Sequence, residues 1–456
     1  MGLVARATYD YDSRYLFEFN MGYNGTEQFA LDNRFGFFPA VSVGWAISNE
    51  KFLKGNKTLT FLKLRASYGK VGNDSMGGQR FLYMDNITMG GGTLGSLGNG
   101  QGVSVLLFGN KSIQWEEALK QNYGFDMQLW RNLNLSFDYF VENRSKILVQ
   151  PQSVPMLQGI PQSAIPSSNI GKVNNRGFEI ELNYVQPVTK DLTMQFRGTF
   201  NYNKNKVTYI DEPINPSDYV YRYRQTGFPM NTNWGYKIDY SNGNGFFNTQ
   251  EELDEYLSHT TYSFGTPGLG DFKYMDLNED GVVDEKDQVP LRYTKIPRIT
   301  YGFSLGLDYK GIDFTIFFQG VSKYSHFSGT PQNVYEWTKE GTYYNYHKRA
   351  WTKERYENGE KITYPALHTG DNVNTRANDF FVFDRSFIRL KNIELGYTLP
   401  QRWLRAIGIS KVRVYVSGQN LWTHSPQVAD HIDPEQDDPI GYPLTKMMNV
   451  GVNISF

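Results

Sequence analysis

Apolar and polar residues alternate along most of the chain with a period of two, which is the pattern of β-strands that have one apolar and one polar face. In "LNLSFDYFVE", Leu133, Leu135 and Phe137 share one face, and Asn134 and Ser136 share the other. Segments of this kind recur from the first residues to the last. We count about thirteen of them, which predicts an all-β protein.

The connections between these segments alternate in length. Short ones carry turn residues, as in "DYDSR" (10–14) and "QPVTKD" (186–191), whereas the long ones are rich in Gly, Asn, Ser and Pro. The long connections lie at about 69–114, 151–171, 207–297, 324–383 and 423–445. Tight turns at one rim and long extracellular loops at the other are typical of a transmembrane antiparallel β-barrel. The sequence therefore predicts such a barrel over the whole of 1–456.

An odd number of strands predicts a barrel that this chain does not close by itself, because bacterial outer-membrane barrels have even strand numbers. An open edge in hydrocarbon leaves amide groups unpaired, at a cost of several kcal/mol each. The start of the chain also lacks the basic segment, apolar segment and cleavage site of a signal peptide. We therefore expect the chain to be one part of a longer protein.

The chain ends in "MMNVGVNISF", which has the same alternation and stops on an aromatic residue. Val450, Val452, Ile454 and Phe456 lie on one face of the predicted strand, opposite Asn, Gly and Ser residues. This is typical of the closing strand of an outer-membrane barrel, which contacts membrane lipids and is the segment that we expect the barrel-assembly machinery to bind. The alternative for this segment alone is an amphipathic edge strand of a soluble sheet.

Composition agrees with many strands and excludes several partners. Aromatic residues make up 16% of the chain, while the mean hydropathy is -0.52, as expected of strands with one wet face. Lys and Arg (46) nearly balance Asp and Glu (47), which leaves no global field to attract nucleic acid or an anionic membrane surface. The absence of Cys excludes disulfides and thiolate metal sites. No apolar run is long enough for a transmembrane helix.

The longest loop contains "DLNEDGVVDEKD" (276–287), which has the spacing of a cation-binding loop. Side-chain oxygens recur at positions 1, 3, 5, 9 and 12, and Gly281 stands at position 6, where the chain must turn sharply. The predicted ligands of a structural Ca²⁺ are Asp276, Asn278, Asp280, the carbonyl of Val282, Asp284 and Asp287. Position 12 holds Asp where a bidentate Glu is usual, which lowers the expected affinity. The alternative is a metal-free turn held by Asx hydrogen bonds.

Two aromatic clusters also lie in the long loops, and a capping pair precedes the acidic segment. The clusters span 219–236 and 335–351, and their rings would stack on sugars, anchor a protein partner or pack against other loops. In "TQEELDEYL", Thr249 and Glu252 form a capping box that predicts a short loop helix. The candidate rings for substrate or partner contact are Tyr221, Tyr223, Trp234, Tyr335, Trp337, Tyr343, Tyr344 and Trp351.

The sequence gives little support to catalysis, so we expect a protein that is not an enzyme. The six His residues are scattered, and neither a His-x-x-x-His pair nor a nucleophile elbow occurs. "HIDPE" places His431, Asp433 and Glu435 at alternate positions, but a lone cluster of this kind in a loop is more often solvated than catalytic. No glycine-rich loop follows a strand and opens a helix, so a phosphate cradle is not predicted.

Five segments, taken in chain order, resemble the SusC/RagA family of TonB-linked outer-membrane transporters. They are "RFGFFPAVSVGWAISNEKFL" (34–53), "LKLRASYGKVGN" (62–73), "RLKNIELGYTLP" (389–400), "RVYVSGQNLWT" (413–423) and "DPE" (433–435). The resemblance implies a 22-stranded barrel around an N-terminal plug domain, covered by a surface lipoprotein of the SusD type. It also implies import of glycans or peptides, with energy passed on by TonB, in the outer membrane of a Gram-negative bacterium of the Bacteroidota kind.

The same resemblance implies that about nine strands, the plug domain and the TonB-contacting segment lie outside this chain. The first hypothesis is therefore the carboxyl-terminal barrel segment of an outer-membrane nutrient importer, which is not competent for active transport alone. Two alternatives stay open. A soluble glycan-binding β-protein would need no detergent, and a passive porin-like channel would have no plug.

Overall fold

The computed structural model describes residues 1–93, 101–154, 156–212, 224–327, 345–368, 372–404, 408–426, 433–436, 442 and 444–456. Its strands, numbered β1 to β21 in chain order, form one large sheet and four two-stranded sheets within these residues. The helices are short and lie in the connections between sheet strands.

The large sheet contains thirteen strands, and each is hydrogen-bonded to the next sheet strand along the chain. Neighbouring strands are antiparallel throughout, which confirms the predicted fold class and strand number. The strands are β1 (Gly2–Tyr11), β2 (Tyr15–Gly25), β3 (Phe35–Ala46), β4 (Leu59–Asn73), β7 (Glu116–Leu129), β8 (Leu133–Val149), β9 (Ser168–Pro187), β10 (Leu192–Tyr209), β15 (Ile299–Tyr309), β16 (Ile312–Ser322), β19 (Phe387–Thr398), β20 (Lys411–His424) and β21 (Met447–Ser455). β1 and β21 are the two edges of this sheet.

The other elements lie in the connections. The short strands are β5 (Asn86–Thr93), β6 (Gln101–Leu107), β11 (Asn233–Gly235), β12 (Thr261–Tyr262), β13 (Val282–Val283), β14 (Val289–Leu291), β17 (Ser325–Phe327) and β18 (Val382–Asp384). The α-helices are α1 (Gln250–Leu257), α2 (Lys353–Glu357) and α3 (Gln401–Leu404). Short 3-10 helices cover Leu31–Asn33, Ile47–Asn49, Met156–Gln158, Gln162–Ala164, Glu285–Asp287, Asn345–Arg349 and Val373–Thr375. None of the helices in the described ranges is both long enough and apolar enough to span a bilayer.

The register of the sheet sorts side chains into continuous cross-strand rows. An apolar row consists of Leu64, Phe125, Phe137, Ile180 and Phe200, on β4, β7, β8, β9 and β10. The adjacent row is polar and consists of Lys63, Asp126, Ser136, Glu181 and Thr199. We call the face with the apolar row the outward face and the other the inward face. Because side chains alternate along a strand, the register assigns the other residues of these strands to one face or the other.

Aromatic rings on the outward face contact one another across strands. The ring centroids of Phe125 and Phe137 are 5.6 Å apart, and those of Phe178 and Phe200 are 5.8 Å apart. Cross-strand aromatic pairs of this kind stabilise one register over its neighbours. A slip of one residue would exchange the two faces, so these contacts also fix which face is apolar.

The short connections form one rim of the sheet. Trp130 and Arg131, between β7 and β8, have φ angles of 50° and 64°, and Lys310 and Gly311, between β15 and β16, have φ angles of 47° and 87°. Two consecutive left-handed residues give the two-residue hairpin whose twist matches that of the flanking strands. Aromatic rings are exposed beside these connections, as expected of an interfacial girdle, and include Tyr9, Tyr11, Trp130, Tyr309 and Trp403.

Several strands extend further towards the long connections than the sequence pattern indicates. β4 continues to Asn73, β10 continues to Tyr209, and β9 already begins at Ser168. The extension of β4, "GKVGN" (69–73), lacks a clean alternation of apolar and polar residues. Outside hydrocarbon both faces of a strand are wet, so the alternation that marks a membrane-spanning strand is lost there while backbone pairing continues.

Among the described residues, the largest buried apolar core lies in the long connections and not in the sheet. It joins residues from 236–283 to residues from 350–381, and includes Tyr236, Phe246, Phe247, Phe272, Tyr274, Val283, Trp351 and Phe381. The thirteen-stranded sheet is a single layer whose apolar outward side chains are not covered by a second layer among the described residues; Leu395 and Val416, for example, are each 53% exposed. A large apolar face without a second protein layer is expected where lipid supplies that layer.

Candidate functional site

Two of the long connections fold together into one unit, which we call the loop platform and which consists of 224–298, 345–368 and 372–386. Their backbones are hydrogen-bonded to each other. Tyr236 N–H donates to the Ala377 carbonyl (2.9 Å), Asp379 N–H donates to the Tyr236 carbonyl (3.1 Å), and Ala366 N–H donates to the Gly270 carbonyl (2.8 Å). Since the two connections also share the apolar core, they are fixed to each other and act as one body.

Asp271 is a polar centre of the loop platform. It is 3% exposed and accepts hydrogen bonds from Asn374 Nδ2 (2.7 Å) and from Gly268 N–H (2.8 Å). Nε2 of His368 lies 2.5 Å from its Oδ1. The hydrogen bond with Asp271 raises the pKa of His368, the charge of Asp271 raises it further, and burial opposes both. The pair therefore joins the two halves of the platform most strongly when His368 is protonated.

The predicted loop helix is confirmed as α1. Thr249 Oγ1 accepts a hydrogen bond from Glu252 N–H (3.2 Å), which satisfies a free donor of the first turn. Leu253 and Tyr256 are buried on the inner side of α1, and the Tyr256 hydroxyl donates to the Tyr274 carbonyl (2.6 Å). The helix is thus docked onto the core of the loop platform.

The first half of the acidic segment 276–287 is held by Asx hydrogen bonds. Asp276 accepts from the backbone N–H of Glu279 (2.9 Å) and Gly281 (2.8 Å). The carboxylate of Asp280 accepts a hydrogen bond from Nδ2 of Asn278 (3.0 Å), and Nζ of Lys286 lies 3.4 Å from Asp280 Oδ2. Gly281 has a φ of 84°, which explains the need for glycine at this turn.

The second half of the segment is closed by Asp287, which is fully buried. Its carboxylate accepts from the backbone N–H of Leu277 (2.7 Å) and Asp284 (2.8 Å), and burial raises its pKa. Within the described part of the chain, no group of three or more His, Asp and Glu side chains is arranged to hold a metal ion. The contacts found are those of the Asx-turn alternative, and calcium binding stays a prediction.

Two of the eight candidate aromatic residues lie in the described part of the chain. Trp351 is buried in the core of the loop platform, and its Nε1–H donates to Asn248 Oδ1 (3.2 Å). Trp234 lies in β11 with its ring edge against Phe228, at a centroid distance of 5.0 Å. Both rings therefore pack against other loop residues, which is one of the three roles considered for the aromatic clusters. The other candidates, Tyr221, Tyr223, Tyr335, Trp337, Tyr343 and Tyr344, lie outside the described residues.

The last strand, β21, pairs with β20 and carries its apolar side chains on the outward face. Val450 pairs with Val416, Val452 pairs with Val414, and Ile454 pairs with Val412. Val450, Val452, Ile454 and Phe456 are 77%, 55%, 50% and 91% exposed. They extend the apolar outward face to the edge of the sheet.

The inward face of the sheet carries charged side chains that neutralise one another. Arg65 on β4 donates to Asp126 on β7 (3.0 and 3.1 Å) and to Asp138 on β8 (2.5 and 2.7 Å). Ser136 Oγ completes the cluster by donating to Asp126 Oδ1 (2.8 Å). At the other end of the sheet, Arg413 binds Asp313 and Glu394, with a distance of 2.5 Å to Glu394. Arginine suits these sites because its planar group reaches two carboxylates at once.

A third arginine ties the last long connection to the sheet. Arg389 on β19 is 1% exposed and donates to both oxygens of Asp433 (2.7 and 2.8 Å) and to Glu435 Oε2 (2.6 Å). The "DPE" segment is therefore a clamp on Arg389, and this pairing between residues far apart in the chain left no signal in the sequence spacing. The same contacts account for Asp433 and Glu435 of "HIDPE", whereas His431 lies outside the described residues.

The inward face also forms a groove of about 530 Å³ across β8, β9, β10, β15 and β16, which is lined by polar residues and by apolar ones such as Phe317. Its lining offers hydrogen-bond acceptors and donors from Asp138, Glu179, Glu181, Asn201, Thr300 and Gln319. Such a surface binds water or polar solutes, and its side chains are held in place by the strands. The groove is thus a candidate wall of a hydrophilic passage.

Comparisons with known proteins agree with this architecture. A family model described as TonB dependent receptor-like, beta-barrel matches residues 2–421. TonB-dependent receptor P3 of Formosa agariphila is 27% identical over 100% of this chain, which covers 45% of that protein. SusC of Bacteroides thetaiotaomicron, also a TonB-dependent receptor, is 26% identical over 99% of this chain, which covers 43% of it.

The fold is similar to that of a solved transporter. The structure of the RagAB peptide transporter superposes with a TM-score of 0.76 at 21% sequence identity, over 100% of this chain and 47% of that one. The chain spans about half the length of the curated relatives that it matches. Because the family model covers most of the chain and the sheet has the expected apolar and polar faces, the chain belongs to the TonB-dependent receptor-like β-barrel family of outer-membrane proteins and forms part of such a barrel.

Proposed function

We propose that this chain is the carboxyl-terminal wall and loop segment of an outer-membrane importer of peptides or glycans. In this proposal TonB supplies the energy, and a SusD-type lipoprotein covers the extracellular loops. The similarity to a structure described as a peptide transporter supports peptides as one substrate class, and the similarity to the TonB-dependent receptor SusC supports the role of TonB. The chain alone would not transport, because the two edges of its sheet, β1 and β21, are not joined to each other.

The observation that carries the proposal is the separation of charge between the two faces of the sheet. The inward face holds the ion pairs of Arg65 and Arg413, whereas the outward row from Leu64 to Phe200 carries no charge. A charged side chain on a lipid-facing barrel surface costs roughly 2–4 kcal/mol at the membrane midplane for Lys or Arg. This distribution is expected of a water-filled lumen inside a lipid-facing wall, and a soluble sheet would not need it.

The loop platform supports a second step of the proposal, the capture of substrate together with the lipoprotein. A body with its own core presents a surface of fixed shape, and so loses little conformational entropy on binding. We place substrate and lipoprotein contact on the platform and its neighbouring loops, where the aromatic candidates of 219–236 and 335–351 also lie.

Uptake in the native bacterium tests the proposal. Deletion of the gene should abolish growth on, and accumulation of, either oligopeptides or oligosaccharides, and complementation with the full-length gene should restore it. Inactivation of TonB should abolish the same accumulation. Continued uptake without TonB would instead support the passive channel, and extraction of the protein without detergent would support the soluble alternative.

We also propose that the acidic segment 276–287 binds Ca²⁺ in a structural role. Each predicted ligand can offer an oxygen atom, which is the donor that a hard cation prefers; the ligands are Asp276, Asn278, Asp280, the carbonyl of Val282, Asp284 and Asp287. Lys286 Nζ lies 3.4 Å from Asp280 and 4.0 Å from Asp284, so an ammonium group already partly neutralises these carboxylates. When bound, the cation would supply further neutralisation and would tighten the loop.

A further inference from the structure

Four basic residues lie together on the outward face, at the end of the sheet that carries the long connections. Lys172 and Arg176 are on β9, Lys204 and Lys206 are on β10, and all four are exposed. We call them the basic strip. They share the face of Phe178, Ile180, Phe200 and Tyr202, because each differs from these residues by an even number of positions along its strand.

The basic strip brings like charges together, and none of its residues is paired with a carboxylate among the described residues. Arg176 is the direct cross-strand partner of Lys204, and Lys206 is the partner of Asn174. Like charges placed directly opposite each other destabilise a sheet unless an anion lies between them. The inward charges behave differently, since Arg65, Arg197 and Arg413 each bind a carboxylate.

No carboxylate of the described ranges forms an ion pair with a residue of the basic strip. The two acidic residues that follow β10 in the chain are already engaged by loop groups. Asp211 accepts from Ser153 Oγ (2.7 Å) and Gln152 N–H (3.1 Å), and Glu212 accepts from the backbone N–H of Gln225 and Thr226. On the neighbouring strands, by contrast, the basic residues are paired with a carboxylate. Glu117 forms ion pairs with both Lys70 (3.2 Å) and Lys146 (2.9 Å).

The height of the basic strip places it at a membrane boundary. Arg176 lies ten residues along β9 from Gln186, at the end near the short connections. At ~3.3 Å per residue and a strand tilt of ~40°, ten residues rise about 25 Å, the thickness of the apolar band of outer-membrane barrels. The phosphate groups of the outer leaflet lie at this level.

Directly below the basic strip, the outward face is aromatic. Phe178 is two residues from Arg176, Tyr202 is two residues from Lys204, and their ring centroids are 5.7 Å apart. The Phe178 ring also contacts Phe200 at 5.8 Å. Cations above and rings below fit an amphiphile whose phosphate contacts the cations and whose acyl chains lie along the rings. A free phosphate ion would use only the upper half of this surface.

We propose that the basic strip and the rings of Phe178 and Tyr202 form a binding site for a phosphorylated lipid of the outer leaflet. The bound lipid phosphate neutralises Arg176 and Lys204, and its acyl chains cover the aromatic surface between β9 and β10. The lipid thus belongs to the barrel wall as a structural ligand, separate from the inward groove and from the loop platform.

Binding of a defined lipid to the full-length protein tests this site. The protein in neutral detergent is titrated with bis-phosphorylated lipid A, with enzymatically dephosphorylated lipid A and with inorganic phosphate, and native mass spectrometry counts the bound molecules. We expect binding of the phosphorylated lipid to weaken at least tenfold when its phosphates are removed, and inorganic phosphate not to compete at millimolar concentration. Equal affinity for the two lipids, or displacement by inorganic phosphate, would overturn the proposal.

Substitutions then assign the binding to the basic strip. The variant K172Q/R176Q/K204Q/K206Q should lose at least tenfold in affinity, and Arg176→Lys should retain most of it. The matched control replaces four exposed lysines of the short connections, Lys51, Lys54, Lys57 and Lys190, with Gln and should bind as the parent does. The shift in gel mobility on heating shows whether each variant is a folded barrel. A folded strip variant with parental affinity, or a control variant with the same loss, would contradict the assignment.

Discussion

Arg389 holds two carboxylates while its own side chain is almost completely buried, so its removal would leave Asp433 and Glu435 without their counterion. Breaking a buried ion pair from one side costs about 3–5 kcal/mol, whereas an exposed pair contributes about 0–1 kcal/mol. We expect Arg389→Ala to increase protease cleavage after 424 and to lower the melting temperature. Arg6→Ala, which removes the exposed pair with Glu18, is the control and should change neither. Equal effects of the two substitutions would refute the clamp.

His368 gives the loop platform a pH dependence whose sign follows from its partner. The pKa of His368 is raised by Asp271, so the pair stabilises the platform fully below the unfolded value of about 6.5 and loses this effect as the pH rises through the folded value. His368→Gln should therefore increase hydrogen exchange of peptides from 362–368 and 372–381 more at pH 5.5 than at pH 8.5. A larger effect at pH 8.5 would show that the neutral ring makes the stabilising contact.

Each sheet strand has an outward and an inward face, and consecutive residues of β8 allow the same substitution to be compared on both faces. Phe137 points outward and Ser136 points inward at the same height, because they are consecutive residues. Phe137→Lys should cost roughly 2–4 kcal/mol in folding into lipid bilayers, and Ser136→Lys should cost less, because it loses a hydrogen bond to Asp126 but keeps its charge on the polar inward face. Reversible unfolding of the full-length protein by urea in bilayers measures both. The assignment of faces fails if Ser136→Lys is the more costly substitution.

The acidic segment 276–287 is the element whose ligand was predicted from spacing alone. Asp276→Ala together with Asp280→Ala should lower the thermal stability in calcium-containing buffer and have a smaller effect in the presence of a chelator, if the cation binds as proposed. The Asx hydrogen bonds of both residues contribute in either buffer, so the difference between the buffers is the informative quantity. A loss of stability that is equal in the two buffers would leave only the Asx turn.

Sequence reasoning was sufficient for the elements that repeat and insufficient for contacts between distant loops. The alternation of Leu133, Leu135 and Phe137 against Asn134 and Ser136 reports directly on lipid and water, so the strands and their faces followed from it. The Thr249 cap is equally local, and α1 was predicted correctly. The core of the loop platform was not foreseen, because it joins 236–283 to 350–381 and neither segment has a period of its own.

The basic strip shows the same limit in electrostatics. The chain is almost neutral overall, with 46 basic and 47 acidic residues, and this balance indicated no attraction to an anionic surface. The register places Arg176 opposite Lys204 on one face, which concentrates charge that the composition averages away. The same register was needed to see that the inward charges are paired.

At the scale of the whole molecule, the fold has an apolar face, a polar face and a buried core in the loops. The outward face of the sheet is apolar, the inward face carries the ion-paired charges, and the largest apolar core among the described residues lies in the loops, outside the membrane-spanning sheet. This division explains how a chain with a mean hydropathy of -0.52 forms part of an integral membrane protein. It also requires that the edges β1 and β21 pair with further strands in the complete barrel.

The central claim is that alternate residues of each sheet strand contact lipid and water, and accessibility along one strand tests it most directly. The chain contains no Cys, so single cysteines at 133–141 of β8 can carry a nitroxide spin label without background. The full-length protein in bilayers is then exposed to oxygen, which partitions into lipid, and to a water-soluble nickel chelate. We predict that odd-numbered positions are accessible to oxygen and protected from the chelate, that even-numbered positions show the lower oxygen accessibility whether water or the plug domain faces them, and that the profile has a period of two. Accessibility to the chelate at every position, or a profile without this period, would contradict the account.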